Sequence, residues 1–260
     1  MAEVRVAWDK LQEFTKQVFM QVGMSPADAE TEAEVLVWAN LRGIDSHGVL
    51  RIPQYLDSVA QGGMNPKANI RIEMETPAAM LVEADHAFGP VVTNWAMDRV
   101  IEKARAVAVG WAVIRNTTHQ GAMGYYARMA ALQNMAGIAI VTNPPNMAPY
   151  GAKAAGVHNA PLAMAVPGKK HKPLVLDMAT SVAAAGKISL AIDKGIPIPE
   201  GWALDKEGNP TTDPRQAAIM LPFGGYKASH MALMFECFTG IMAGNPLIAP
   251  SILKTSQVKR

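Results

Sequence analysis

The sequence predicts an α/β protein with a helical first part, on three observations. Apolar residues recur at helical spacing through the first sixty residues, and short strand-like runs alternate with helical patterns after about residue 70. Between Asn65 and Ile72 the texture changes from one pattern to the other, which marks a boundary near 70. The 260 residues are 50% hydrophobic and 18% charged, enough to bury a sizeable core and too apolar for a disordered chain.

Val6–Met20 carries the first helical pattern. Ser25-Pro26-Ala27-Asp28 is a start signal for the second, with Ser25 as cap, Pro26 in the first turn and Asp28 near the exposed amides. That helix is expected to end at Gly43. A third is expected to open at Ser46-His47-Gly48-Val49-Leu50-Arg51 and to run to Gly62-Gly63. On it His47 and Arg51, four apart, share a face. A group that titrates near neutrality beside a forked cation suits the chemistry of small anionic acids, although such pairs also occur on plain helix surfaces.

Strand-like runs follow at Ala79–Val82, Trp111–Ile114, Ile138–Val141, Leu162–Val166 and Leu174–Leu176, with helical patterns at Val91–Val107 and Tyr125–Met135. Pro144–Gly151 and Gly195–Gly201 read as loops, Glu207-Gly208-Asn209-Pro210 as a turn, and Lys227 to about Ala243 as an apolar helix. His119, in Asn116-Thr117-Thr118-His119-Gln120-Gly121, lies between a strand and a helix, where catalytic groups are often held; a turn histidine bonded to local backbone fits equally. Asp177-Met178-Ala179-Thr180-Ser181 follows another strand and reads either as a helix cap or as donors to a cofactor.

Several classes are excluded or disfavoured. A net charge of +2 is too small for a nucleic-acid or membrane footprint. The single cysteine, Cys237, rules out an internal disulfide and suits a reducing compartment. With no apolar leader and no run of about 20 apolar residues, a cytoplasmic protein is the expectation. Gly-x-Gly-x-x-Gly is absent, so a conventional Rossmann site lacks support. Gly151–Gly156 has the spacing of a phosphate loop, but Val157 stands where that loop needs lysine. The six histidines lack metal-ligand spacing, which argues against zinc and against a metal-dependent lyase.

Seven segments in order resemble the type-2 malate/L-lactate dehydrogenase family, which includes the ureidoglycolate, diketogulonate and sulfolactate dehydrogenases and the piperideine-2-carboxylate reductases. They are Arg42–Gly48 with Arg51, Thr118–Ala122, Asn143 with Pro149–Gly151, Asp177–Ser181, Pro199–Asp205, Pro210–Pro214 and Leu221–Lys227. The resemblance implies a non-Rossmann nicotinamide-binding domain with a mixed or antiparallel sheet. It implies a helical substrate and dimerisation domain at 1–70, an NAD(P)-binding domain at 71–226, and a helical return segment at 227–260 that continues in longer members. The implied activity is hydride transfer between NAD or NADP and a small 2-hydroxy or 2-keto acid, in a homodimer. By the same resemblance Arg51 clamps the carboxylate, Ser46 helps to orient it, and His47 and His119 are both proton-transfer candidates. Asn143, Asp177, Met178, Ala179, Thr180, Ser181 and Lys227 match cofactor contacts.

The chain departs from the family pattern at His158-Asn159-Ala160-Pro161-Leu162, where Gly-Thr-Asn-Pro-Leu is usual, and at Ala228 and His230, where glycines are usual. A catalytically impaired or ligand-binding homologue of the same fold is the alternative.

Overall fold

The computed structural model describes residues 5–244. They form two compact units, residues 5–137 with 165–175 and residues 138–164 with 176–244. The composition boundary near 70 falls inside the first unit.

In the first unit, α1 (Trp8–Gln21) packs on α2 (Pro26–Asn40). The start of α2 is as the sequence predicts: the Ser25 hydroxyl accepts from the Asp28 N–H at 3.1 Å and Pro26 opens the helix. The expected helix over 46–62 is a correction. Two single 3-10 turns, Asp45–His47 and Val49–Arg51, precede α3 (Ile52–Ala60). Gly48, extended at φ −95° and ψ −155°, separates them, so His47 and Arg51 do not share an α-helical face.

The cause is Asn40. Its Oδ1 accepts the Val49 N–H at 2.9 Å and its Nδ2 donates to Asp45 at 2.6 Å, which pins the turn to the end of α2. A Cβ on Gly48 would stand 2.2 Å from that Oδ1, so only glycine fits.

β1 (Arg71–Glu75) pairs antiparallel with β2 (Ala79–Glu83), through an irregularity between Ile72 and Met74. β2 pairs parallel with β3 (Trp111–Arg115), and α4 (Gly89–Val107) makes the crossover between them. This sheet is mixed. α5 (Gly124–Leu132) follows the His119 loop. Phe19, Ala29, Leu36, Tyr55 and Phe88 form the core where α1, α2 and α3 meet the start of α4.

β4 (Gly137–Ile140), β5 (Leu162–Val166) and β6 (Leu174–Met178) make a second three-stranded sheet with β5 in the middle. In the second unit α6 (Ala185–Lys194) precedes the short strands β7 (Ala203–Leu204), β8 (Pro210–Thr211) and β9 (Ile219–Met220), with β7 central and antiparallel to both neighbours. The predicted turn at 207–210 closes the β7–β8 hairpin, where the Asp205 carboxylate accepts the Glu207 and Asn209 N–H groups. α7 (Tyr226–Glu236) runs into a π-turn, Cys237–Ile241; the rest of the expected return segment, from 245, lies outside the described residues. Met147, Leu162, Ile188, Met220 and Phe235 lie in the core of this unit. Among the described residues no helix is long and apolar enough to cross a membrane.

Candidate active site

The first unit brings four of the predicted residues together. His47 and His119 stack, with ring centroids 5.3 Å apart and planes 29° apart. Ser46 Oγ lies 2.9 Å from His47 Nδ1, and Arg51 Nε donates to the Ser46 carbonyl at 2.6 Å. Arg51 Nη1 donates to Gln54 Oε1 at 2.8 Å. No acidic side chain among the described residues pairs with Arg51, so its Nη2 edge remains available to an anion.

The sequence did not point to Tyr55, the phenol that orients His119. Its hydroxyl lies 2.6 Å from His119 Nδ1, which also accepts the Gly121 N–H at 3.3 Å. Two donors on Nδ1 leave the neutral imidazole with its proton on Nε2. The available signal was spacing: Tyr55 is four residues past Arg51 on a true helix.

Close packing fixes the His119 loop. The Thr118 hydroxyl donates to the Ala87 carbonyl at 2.9 Å and accepts the Gly89 N–H at 3.2 Å. A Cβ on Gly89 would stand 2.4 Å from the His119 carbonyl oxygen. Gly121 takes φ +72°, and its missing Cβ faces Val35 of α2. The buried Tyr126 of α5 donates its hydroxyl to the Gln120 carbonyl.

The histidines differ electrostatically. Burial, reinforced by the Arg51 charge, pushes His47 down to about 4, so it is neutral at neutral pH. Burial, with Glu32 adding to it, holds the Tyr55 phenol far above its ordinary range, so it remains protonated. This cluster offers a carboxylate-binding edge and an imidazole of fixed tautomer.

The cofactor candidates lie in the second unit. Asn143, Asp177 and Lys227 are exposed, and Met178 and Ala179 are half-buried. Thr180 and Ser181 are buried. Ser181 Oγ donates to the Ala183 carbonyl at 2.7 Å, and Asn159 Nδ2 reaches Ser181 Oγ at 3.4 Å. The Asn159 carbonyl accepts the Thr180 N–H, and Asn146 Oδ1 accepts the Asn159 N–H. Asn159, at one position that departs from the family pattern, therefore ties the 180–181 segment to the 146 loop. Of the other departures, Ala228 is buried and the His230 ring packs against Tyr226.

The exposed set fits a dinucleotide chemically: a cation for phosphate, and a carboxylate and an amide for ribose or carboxamide groups. The buried Thr180 hydroxyl has no partner among the described residues. It lies in the same segment as Asp177.

The malate/L-lactate dehydrogenase family model matches residues 6–259. The L-sulfolactate dehydrogenase of Methanocaldococcus jannaschii is 44% identical over 226 residues, covering 86% of this chain and 65% of that protein. The malate dehydrogenase of Pyrococcus horikoshii is 39% identical over 251 residues, 93% of this chain and 69% of that protein. Among solved structures, a putative malate/lactate dehydrogenase from E. coli superposes with a TM-score of 0.90 at 32% identity, covering 94% of this chain and 70% of that one. The delta1-piperideine-2-carboxylate reductase of Pseudomonas syringae superposes at 0.89 and 30% identity, covering 95% and 75%. The chain thus spans about two thirds of the length of the curated relatives it matches.

Proposed function

Since the chain belongs to the malate/L-lactate dehydrogenase family, we propose that it transfers a hydride between NAD or NADP and a small 2-hydroxy or 2-keto acid. The single observation that carries this reading is the cluster of Arg51, Ser46, His47 and His119 in a chain of that family. The bound nicotinamide supplies the hydride; the protein supplies geometry, a cation and a proton.

Arg51 grips the substrate carboxylate through Nη2 while its Nε stays on the Ser46 carbonyl. His119 is the acid/base. In the tautomer favoured by Tyr55 and Gly121, its Nε2–H donates to the carbonyl oxygen of a keto acid, and in the imidazolium form it delivers that proton. His47 is the other proton-transfer candidate. Neutral and stacked on His119, it shapes the wall of the site and orients Ser46. Asn143, Asp177, Met178, Ala179 and Lys227 hold the cofactor, with Thr180 and Ser181 fixing the segment that presents them. The active species is a homodimer in the cytoplasm.

The test is a reductase screen of 2-keto acids, including pyruvate, oxaloacetate, sulfopyruvate and a cyclic imino acid, with NADH and with NADPH. Oxidation of either cofactor by one of these acids, lost in Arg51→Ala, is the expected result. Nicotinamide binding without turnover of any of them favours the impaired or ligand-binding homologue.

A further inference from the structure

Asn40, the last residue of α2, has a side chain that the helix itself does not require. Backbone groups close the end of α2. The Leu41, Arg42 and Gly43 N–H groups donate to the Val37, Ala39 and Asn40 carbonyls, and the Ile44 N–H returns to Ala39. Nothing in that closure uses the Asn40 amide, and alanine is the better helix former at such a position.

The amide reaches forward instead, to both 3-10 turns. Its Nδ2 donates to Asp45 Oδ1 at 2.6 Å, in the turn that carries Ser46 and His47. Its Oδ1 accepts at 2.9 Å from the N–H of Val49, which opens the turn that ends at Arg51. Between the turns lies Gly48, extended and buried. A Cβ there would press on Cγ, Oδ1 and Nδ2 of Asn40, so the amide occupies the space where the two turns meet.

Backbone bonds close each turn on itself. The His47 and Gly48 N–H groups return to Ile44 and Asp45, and the Arg51 N–H returns to Gly48. Two side chains then cross from turn to turn: the Asn40 amide, and Arg51 through Nε on the Ser46 carbonyl.

We propose that Asn40 is a positioning residue for the anion site, its one amide setting the angle between the turn that bears Ser46 and His47 and the turn that bears Arg51. The proposal rests on the reading of Arg51 as the carboxylate clamp. An amide suits the task because it donates at one end and accepts at the other, in one plane. Asp45 meets the donor and a backbone N–H meets the acceptor. N40D keeps the acceptor for Val49 but sets a second carboxylate against Asp45. N40D/D45N returns a donor to face the carboxylate, now with the two roles exchanged and the wild-type net charge.

The experiment uses the 260-residue chain with N40A, N40D, N40D/D45N, G48A and N40A/G48A. In the cofactor-free protein, solvent exchange of the Arg51 Nε–H, assigned with R51K, is read by NMR at a fixed pH. Slow exchange in the wild type, about tenfold faster in N40A and N40D and slow again in N40D/D45N, is expected, because loss of the tie lets the turns part. In the second arm, KM for the keto acid rises about tenfold in N40A and N40D and recovers in N40D/D45N, while the dissociation constant of the reduced cofactor stays unchanged. A merely structural role would lower the melting temperature and leave this KM alone. G48A is expected to match N40A, and N40A/G48A to add nothing to it, since the atoms nearest the new methyl group belong to Asn40. These glycine variants decide the matter if N40D does not fold. Arg51 Nε–H exchange that is the same in the wild type, N40A and N40D overturns the proposal, and so does an N40D/D45N chain that recovers neither exchange nor KM. A wild type that reduces no 2-keto acid overturns the assigned reaction instead, and the exchange arm still decides Asn40.

Discussion

The Tyr55 hydroxyl and His119 Nδ1, sixty-four residues apart in sequence, lie 2.6 Å from each other, and that bond occupies one nitrogen of the imidazole and leaves Nε2 for the proposed proton transfer. Tyr55 comes from α3, whose N-cap is Arg51, and His119 from the loop after β3. The proposed anion-binding group and the proposed proton carrier are thus referred to one short helix.

Tyr55→Phe removes the bond while preserving the ring that packs on Phe19 and Phe88. Loss of one hydrogen bond worth about 1 kcal/mol predicts a fall of about fivefold in kcat, with little change in KM. Steady-state kinetics on the keto acid found in the screen check this; an unchanged kcat would remove Tyr55 from the site.

Arg51→Lys exchanges a planar fork for a point charge and gives up the bond to the Ser46 carbonyl. KM for the 2-keto acid is expected to rise about tenfold or more, while the dissociation constant of the reduced cofactor, read by fluorescence, stays put. A KM within twofold of the wild type contradicts the clamp.

His119→Ala is expected to lower kcat by about 10²–10⁴-fold, the usual contribution of a positioned acid/base. His47→Asn, which keeps a polar group near Ser46, is expected to cost far less. Equal losses in the two variants make the histidines a shared relay, and the reverse order transfers the role to His47.

His47 also makes stability depend on pH. Its pKa is about 4 folded and near 6.5 unfolded, so between those values the unfolded chain binds the extra proton. Stability contributed here is complete above about pH 6.5 and is lost as the pH falls towards 4, by an amount on the order of 1–3 kcal/mol. Urea denaturation at pH 4.5 and pH 7 measures the difference, and His47→Asn should flatten it.

Gly89→Ala sets a methyl group against the His119 carbonyl, a backbone atom that cannot swing aside. The strain, about 1–3 kcal/mol, predicts a melting temperature lower by roughly 2–8 °C together with a loss of turnover. A stable, fully active variant would show that the loop has more room than the packing allows.

Much of the fold was legible because local chemistry and tertiary packing agree. Ser25, Pro26 and Asp28 mark a helix start, and the apolar run Leu162–Val166 is a strand from end to end. β1 was not legible, since Arg71-Ile72-Glu73-Met74-Glu75 is a largely exposed edge whose two apolar residues, Ile72 and Met74, are too few to mark a strand, and only Ile72 packs on the core. The two-residue strands β7–β9 are too short to carry a period. The 45–51 turns depart from the predicted helix because the Asn40 side chain, not the apolar spacing, dictates the backbone there. The grouping of Ser46, His47, Arg51 and His119 followed from residues that form a motif. Tyr55 escaped because a tyrosine on an amphipathic helix looks like ordinary surface or core until its partner is known.

The bond from Arg51 Nε to the Ser46 carbonyl has a thermodynamic consequence for recognition. An unrestrained arginine gives up rotamer freedom when it grips a ligand, and part of the attraction is spent on ordering the side chain. Here folding itself holds the guanidinium, so the proposed carboxylate capture would proceed with its long side chain already still. Selectivity among small acids then depends on how well each fits a stationary fork, and a carboxylate set at the wrong angle finds no second arrangement to reward it.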